Sequence, residues 1–265
     1  KIPAIIDIAD LQDVDYVNSH YIVLCTKKGV IKKTALADFS RPRQTGVNAI
    51  TINEGDQLLE AKLTDGGCEI MMAVSSGRAI RFPETKVRPT GRGAIGVTGI
   101  ESESEDEEVV GMICVNPSTP ERTVLVVSEK GYGKRTPVDE YRITNRGGKG
   151  VKTINVTDKT GKLVGIMDVA QTDDLIITCK SGITIRMEVA HISELGRATQ
   201  GVKLIRIDDG DEIAAITRID EQDETGTLAE TLETTEEAGI VTTGSATDTT
   251  LSAENASEEE NNDQP

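Results

Sequence analysis

Residues 123–138 read TVLVVSEKGYGKRTPV. An unbroken β-branched run, a two-residue turn at Lys130-Gly131 and a second run carrying Lys134 and Arg135 together predict a β-hairpin, because glycine tolerates the positive φ of a tight turn. The same design returns at 21–36, 69–82 and 174–189, with turn pairs Lys28-Gly29, Ser76-Gly77 and Ser181-Gly182. The turn glycines Gly29, Gly77, Gly131 and Gly182 are 48, 54 and 51 residues apart. A second set, Gly46, Gly96, Gly150 and Gly201, keeps step at 50, 54 and 51, and each of these glycines is followed by valine. Two markers sharing one period define a structural repeat. A period near fifty exceeds that of leucine-rich or ankyrin repeats and suits a four-stranded blade.

Outward from each hairpin, the Gly-Val pair opens a further short strand at 47–52, 151–156 and 202–207, and a fourth apolar run follows at 58–63, 109–115, 163–169 and 213–219. Each period thus supplies about four strands, enough for one small antiparallel sheet. Residues 1–6 occupy the place of a strand after Gly-Val. Helical periodicity is weak. The fold expected over residues 1–218 is all-β, a propeller-like array of four to five blade units.

Composition divides the chain near Arg218. From residue 219 to 265 there are fourteen Asp and Glu and no Lys or Arg, so this segment is expected to be a disordered acidic tail. Residues 1–218 hold all 29 basic residues against 31 acidic ones, a net charge of −2 beside −14 for the tail. A near-neutral body still presents a basic face where its cations cluster. Cys25, Cys68, Cys114 and Cys179 stand singly in apolar runs and read as core residues of a reducing cytosol. No run of eighteen apolar residues and no signal-peptide pattern occurs.

The position four residues after each turn glycine is basic in all four units: Lys33, Arg81, Arg135 and Arg186, with Lys32 and Lys134 preceding two of them and Arg78 on the second hairpin. Repetition is expected to set these charges around a common rim, unless they only guard strand edges. The loops before Gly-Val add Arg41, Arg43, Arg88, Arg92, Arg142, Arg146, Lys149 and Arg197, and the following strands add Lys152 and Lys203. Arg146-Gly147-Gly148-Lys149-Gly150 is the sharpest case, since glycine exposes backbone N–H groups while flanking cations attract phosphate. The plainer reading is a tight connection between blades.

With two Phe, four Tyr and no Trp, base stacking on single strands is disfavoured. What remains suits duplex DNA gripped through its phosphates, independent of sequence and sensitive to salt. Tyr132 in a hairpin turn and Tyr141 in a loop lack the surroundings of a nucleophile. His20 and His191 have no partner at ligand or triad spacing. Residues 101–108, rich in glutamate, read as an exposed acidic loop and not as a metal site. No Walker-type sequence is present.

The hairpins, the Arg/Gly loops and the acidic tail resemble the C-terminal domain family of DNA gyrase A, over residues 1 to about 218. The most characteristic stretches are residues 27–34 (KKGVIKKT), 131–136 (GYGKRT) and 196–202 (GRATQGV). The resemblance implies a β-pinwheel, a disc of blades that wraps duplex DNA around a basic perimeter within an ATP-dependent topoisomerase introducing negative supercoils. It also implies partners, the N-terminal catalytic region of gyrase A and the gyrase B protein in an A2B2 holoenzyme, and a place in the bacterial cytoplasm, associated with the nucleoid. Catalytic tyrosine, ATP and Mg²⁺ belong elsewhere in that holoenzyme, so no catalytic residue, cofactor or metal is expected in this chain.

The family's gyrase A box, a Gln-basic-Arg-Gly-Gly-basic-Gly heptad in the first blade, is matched only in part by residues 144–150, where Thr144 and Asn145 replace its first two residues. The box is therefore expected upstream of Lys1. In some family members the tail regulates wrapping, as a polyanion competing with phosphate would. The corresponding domain of topoisomerase IV is the nearest alternative, and a protein-binding propeller scaffold is a third.

Overall fold

The computed structural model describes residues 2–119, 121–208 and 210–219; the acidic tail beyond residue 219 lies outside them. One short helix, α1 (Val14–Ser19), opens the ordered path, capped by Asp13, whose carboxylate accepts from the amides of Asp15 and Tyr16. Then come β1 (Tyr21–Thr26), β2 (Val30–Ala35), β3 (Leu58–Thr64), β4 (Glu69–Val74), β5 (Arg78–Pro83), β6 (Val97–Thr98), β7 (Val109–Val115) and β8 (Thr123–Ser128). The chain continues through β9 (Tyr132–Pro137), β10 (Val151–Lys152), β11 (Leu163–Val169), β12 (Asp174–Cys179), β13 (Thr184–Glu188), β14 (Val202–Lys203) and β15 (Ile213–Ile219).

The four hairpins stand where the sequence puts them, but their turns are one residue longer than expected. Val74 pairs with Arg78, so Ser75, Ser76 and Gly77 all lie in the loop. The Gly77 amide donates to the Val74 carbonyl at 2.9 Å and Gly77 takes φ 86°. A three-residue loop closed by a left-handed glycine matches the twist of the flanking strands.

Four antiparallel sheets result, ordered β3-β1-β2-β6, β7-β4-β5-β10, β11-β8-β9-β14 and β15-β12-β13. One sequence expectation is overturned here, since no period builds its own four-stranded sheet. The two-residue strand after Gly-Val crosses to the preceding unit and pairs with its outgoing hairpin strand: Val97 with Ile31, Val151 with Ala79, Val202 with Gly133. That edge is the nearest unpaired row of backbone groups, and pairing it satisfies both units. Residues 47–52, expected as a strand, form none. Residues 2–6, expected as a strand, form none either.

The core lies between consecutive sheets. In β4, Ile70, Met72 and Val74 face the first sheet while Met71 and Ala73 face the third, the period-2 alternation of a strand buried on both sides. Leu125 and Val127 turn toward Leu175 and Ile177 of the fourth sheet. The outward face of the first sheet, Ile22 and Leu24, is covered by Val17 and the half-buried Ile6, Ile8 and Leu11. Strands β3, β7, β11 and β15 contact one another in succession and form the inner edge of the array, so the exchanged strands form its outer edge. Among the described residues no helix is long and apolar enough to cross a membrane.

Candidate nucleic-acid interface

Each unit leaves its hairpin through a 3-10 turn, and the second, third and fourth then send a loop along the outer edge of the preceding sheet. The buried residues Val87, Tyr141 and Ile192 anchor these loops, and Gly96, Gly150 and Gly201 end them nine residues later. Three residues past each anchor, a backbone amide donates to the outer strand already in place: Thr90 to the Lys33 carbonyl (2.9 Å), Thr144 to Arg81 (2.8 Å), Leu195 to Arg135 (2.9 Å). At the far end the glycine is obligatory. A Cβ on Gly150 would lie 2.3 Å from the Ala79 carbonyl oxygen, and one on Gly201 would lie 2.5 Å from that of Gly133.

The loops are also chained to one another. The amides of Thr51, Glu101 and Asn155, each five residues past its Gly-Val glycine, donate to Ala94 (3.2 Å), Gly148 (3.1 Å) and Thr199 (3.0 Å) of the next loop. Arg146 reaches the Thr98 carbonyl at 3.0 Å and the Lys86 carbonyl at 3.1 Å, and Arg197 reaches the Lys152 carbonyl at 3.1 Å. The result is a continuous belt of loops along the outer edge.

This geometry divides the cations singled out in the sequence. Lys33, Arg81 and Arg135 do not form an exposed rim; they are 4%, 8% and 8% exposed. Their side chains turn inward beneath the next unit's loop. Arg81 donates to the carbonyls of Val138 (2.7 Å) and Tyr141 (3.0 Å) and pairs with Glu69; Arg135 donates to Ile192 (2.8 Å); Lys33 pairs with Glu84 and lies over the Tyr21 ring. In three of the four units the recurring cation at this position is therefore a docking device between units. Arg186, in the fourth of the described units, is exposed beside Asp174.

Lys32 and Lys134 are deeper still. Lys32 donates to the carbonyls of Ala49 (2.5 Å) and Arg92 (2.7 Å), and Lys134 to the carbonyl of Gly196 (2.5 Å) and the Thr199 hydroxyl (3.1 Å). Burial lowers the basicity of both ammonium groups, and that of Lys134 falls to about 8.

On the outside of the belt stand Arg41, Arg43, Arg88, Arg142, Lys149, Lys152 and Lys203, all exposed, with Arg92, Arg146 and Arg197 half-buried between them. Arg78 is half-buried and donates to the Lys149 and Gly150 carbonyls, both at 3.0 Å. Lys86 and Arg206 are exposed as well. Sequence reasoning misses these two because they stand outside the Arg/Gly loops, and no local signal marks their exposure.

The remaining candidates fall elsewhere. Tyr141 is buried, its hydroxyl 2.5 Å from Thr153 Oγ1, and burial raises its pKa. Tyr132 begins β9. His20 stacks on Tyr16 with its Nδ1 2.8 Å from that residue's carbonyl, and His191 lies 3.7 Å from Glu188. In the acidic segment Glu107 departs from the expected exposure: it is buried and accepts from the Glu103 amide at 2.5 Å. Among the described residues no group of three His, Cys, Asp or Glu is arranged to hold a metal ion.

Comparison with known proteins agrees with this repeat. The family model described as DNA gyrase C-terminal domain, beta-propeller, matches residues 20–65, 69–116, 122–170 and 173–220, one match per unit. The DNA gyrase A protein of Staphylococcus aureus (strain NCTC 8325 / PS 47) is 42% identical over 240 residues, covering 90% of this chain and 26% of that protein. The chain thus spans about a quarter of the length of the curated relatives it matches. A solved DNA gyrase A C-terminal domain superposes with a TM-score of 0.68 at 26% identity, over 77% of this chain and 67% of that one. The C-terminal domain of DNA topoisomerase IV gives 0.76 at 21% identity, over 86% and 69%, a likeness in fold alone. With four antiparallel sheets, three of them completed by a strand from the next unit, and a family match on every one, the chain belongs to the DNA gyrase C-terminal domain family of β-propellers.

Proposed function

We propose that this chain binds duplex DNA along the belt of loops on its outer edge and curves the duplex around the disc, as part of DNA gyrase. The observation that carries the reading is the belt itself: consecutive loops held in one register by the same hydrogen bond, with Arg41, Arg43, Arg88, Arg142, Lys149, Lys152 and Lys203 left facing solvent. Exposed cations recurring in every unit along one edge suit the phosphates of a duplex bent around it. The chain contributes no chemistry of its own in this reading. Strand passage, ATP and Mg²⁺ belong to the catalytic region of gyrase A and to gyrase B, in the bacterial cytoplasm.

Relatives by sequence favour gyrase over topoisomerase IV, whose likeness lies in fold. The test is binding of the 265-residue chain to unrelated duplexes of about 40 base pairs across a salt series. Steep salt dependence with no sequence preference supports the reading, because released counterions dominate such binding. Salt-independent binding, or none at low salt, overturns it.

A further inference from the structure

The four loops are not equivalent. The first, from Phe39 to Gly46, is two residues shorter than the others, and beside it opens a cleft of about 480 Å³ lined by Arg43, Gly46, Val47, Asn48, Arg92 and Gly93. Arg146 and Arg197, the counterparts of Arg92 in the later loops, are spent on backbone carbonyls. Among the described residues Arg43 and Arg92 have no such partner.

The backbone of this loop is set in an unusual way. Four consecutive carbonyls are taken from within: Gly91 by the Ala94 amide (3.1 Å), Arg92 by the buried Lys32 ammonium (2.7 Å), Gly93 by the Thr51 hydroxyl (2.8 Å) and Ala94 by the Thr51 amide (3.2 Å). The amides of Gly91, Arg92 and Gly93 find no acceptor among the described residues. Gly91 and Gly93 are also glycines that the fold does not require: neither has a positive φ, and a Cβ on either would meet nothing within 4 Å. Glycine without a steric or conformational reason leaves close approach by another molecule as the physical account. Free amides beside two guanidinium groups, with a buried ammonium behind them, form a concavity for an anion.

We propose that the cleft between the first two loops is a seat for a phosphodiester of the duplex backbone, gripped by Arg43, Arg92 and the amides of residues 91–93. This rests on the duplex-binding reading and deepens it: one point of the belt grips a phosphate closely, while the later loops present charge at a greater distance.

The test compares the 265-residue chain with R43Q/R92Q, with G91A/G93A and, as a control, with K159Q/K162Q, two exposed lysines outside the belt, each checked for an unchanged thermal midpoint. Loss of the one seated phosphate lowers the slope of log affinity against log salt by about 1 for R43Q/R92Q. G91A/G93A keeps every charge, yet is expected to lose DNA affinity by about tenfold, the order of one charge-assisted hydrogen bond. K159Q/K162Q keeps the wild-type slope.

If the wild-type chain does not bind duplex DNA, the seat and the belt fail together. If it binds and G91A/G93A matches it, the seat alone fails. Inorganic phosphate that shifts the amide resonances of Gly91 and Gly93, while both cleft variants bind DNA like wild type, assigns the cleft to a free anion and also overturns the proposal.

Discussion

The Lys33 ammonium, from the outer hairpin strand of the first sheet, lies 2.5 Å from a carboxylate oxygen of Glu84, in the 3-10 turn of the second unit, and neither side chain is more than 6% exposed. Glu84 also accepts from the Thr64 hydroxyl at 2.7 Å and the Cys68 thiol at 3.0 Å. A cation predicted to face DNA is thus a buried tie between consecutive units. K33M leaves the carboxylate buried without its charge partner and is expected to destabilise the chain by about 3–5 kcal/mol. K33M/E84Q recovers part of that loss, because the uncompensated charge is gone. Urea unfolding followed by circular dichroism reads both, since the chain has no tryptophan.

Lys134 carries a pH signature. Burial lowers its pKa from 10.5 to about 8 in the folded chain, so the unfolded chain binds its proton more tightly. Between those two values the unfolded state holds more protons and stability rises with pH; below about 8 both states are protonated and the cost of burying the charge is constant. Relative to K134M, wild type is expected to gain stability from pH 8 to pH 10.5 and to show no change between pH 6 and pH 7. Paired urea titrations across that range check the sign.

The turn glycines separate conformational strain from packing. Gly182 has φ 94° and open space around it, so G182A costs only left-handed strain, about 1–2 kcal/mol. Gly131 has φ 79° and would bring a Cβ to 2.8 Å from the Ile205 carbonyl oxygen of the next unit. G131A is expected to lower the thermal midpoint by a clearly larger step than G182A. Equal shifts count against the docking of each turn on its successor.

Tyr141 tests the assignment of a tyrosine to the core. Y141F leaves the Thr153 hydroxyl buried without its partner and is expected to cost about 1–3 kcal/mol. Duplex affinity, measured below the variant's melting range, stays at the wild-type level.

How much of this was legible differs by element. The hairpins read plainly, because apolar runs buried on both faces and broken by a turn glycine leave little choice, as at residues 123–138. The strand exchange did not read, since a two-residue strand such as Val97–Thr98 has no period to match to one sheet or another. Lys32 and Lys134 misled for a chemical reason: a charged residue in a strand signals solvent, and only the fold shows the carbonyls of Ala49, Arg92 and Gly196 gathered around their ammonium groups. The Arg/Gly loops were located correctly, yet their glycines serve two purposes. Gly150 is demanded by contact with Ala79, whereas Gly93 has no such neighbour.

The central claim is that the exposed cations of the outer belt, and not the buried ones, hold the duplex. The most direct measurement is the salt dependence of duplex binding by R41Q/R88Q/R142Q/K203Q beside wild type, all four positions being exposed. At about 0.9 per lost phosphate contact, the slope is predicted to fall by roughly 3 to 4 with folding stability unchanged. A variant that keeps the wild-type slope and affinity would contradict the account.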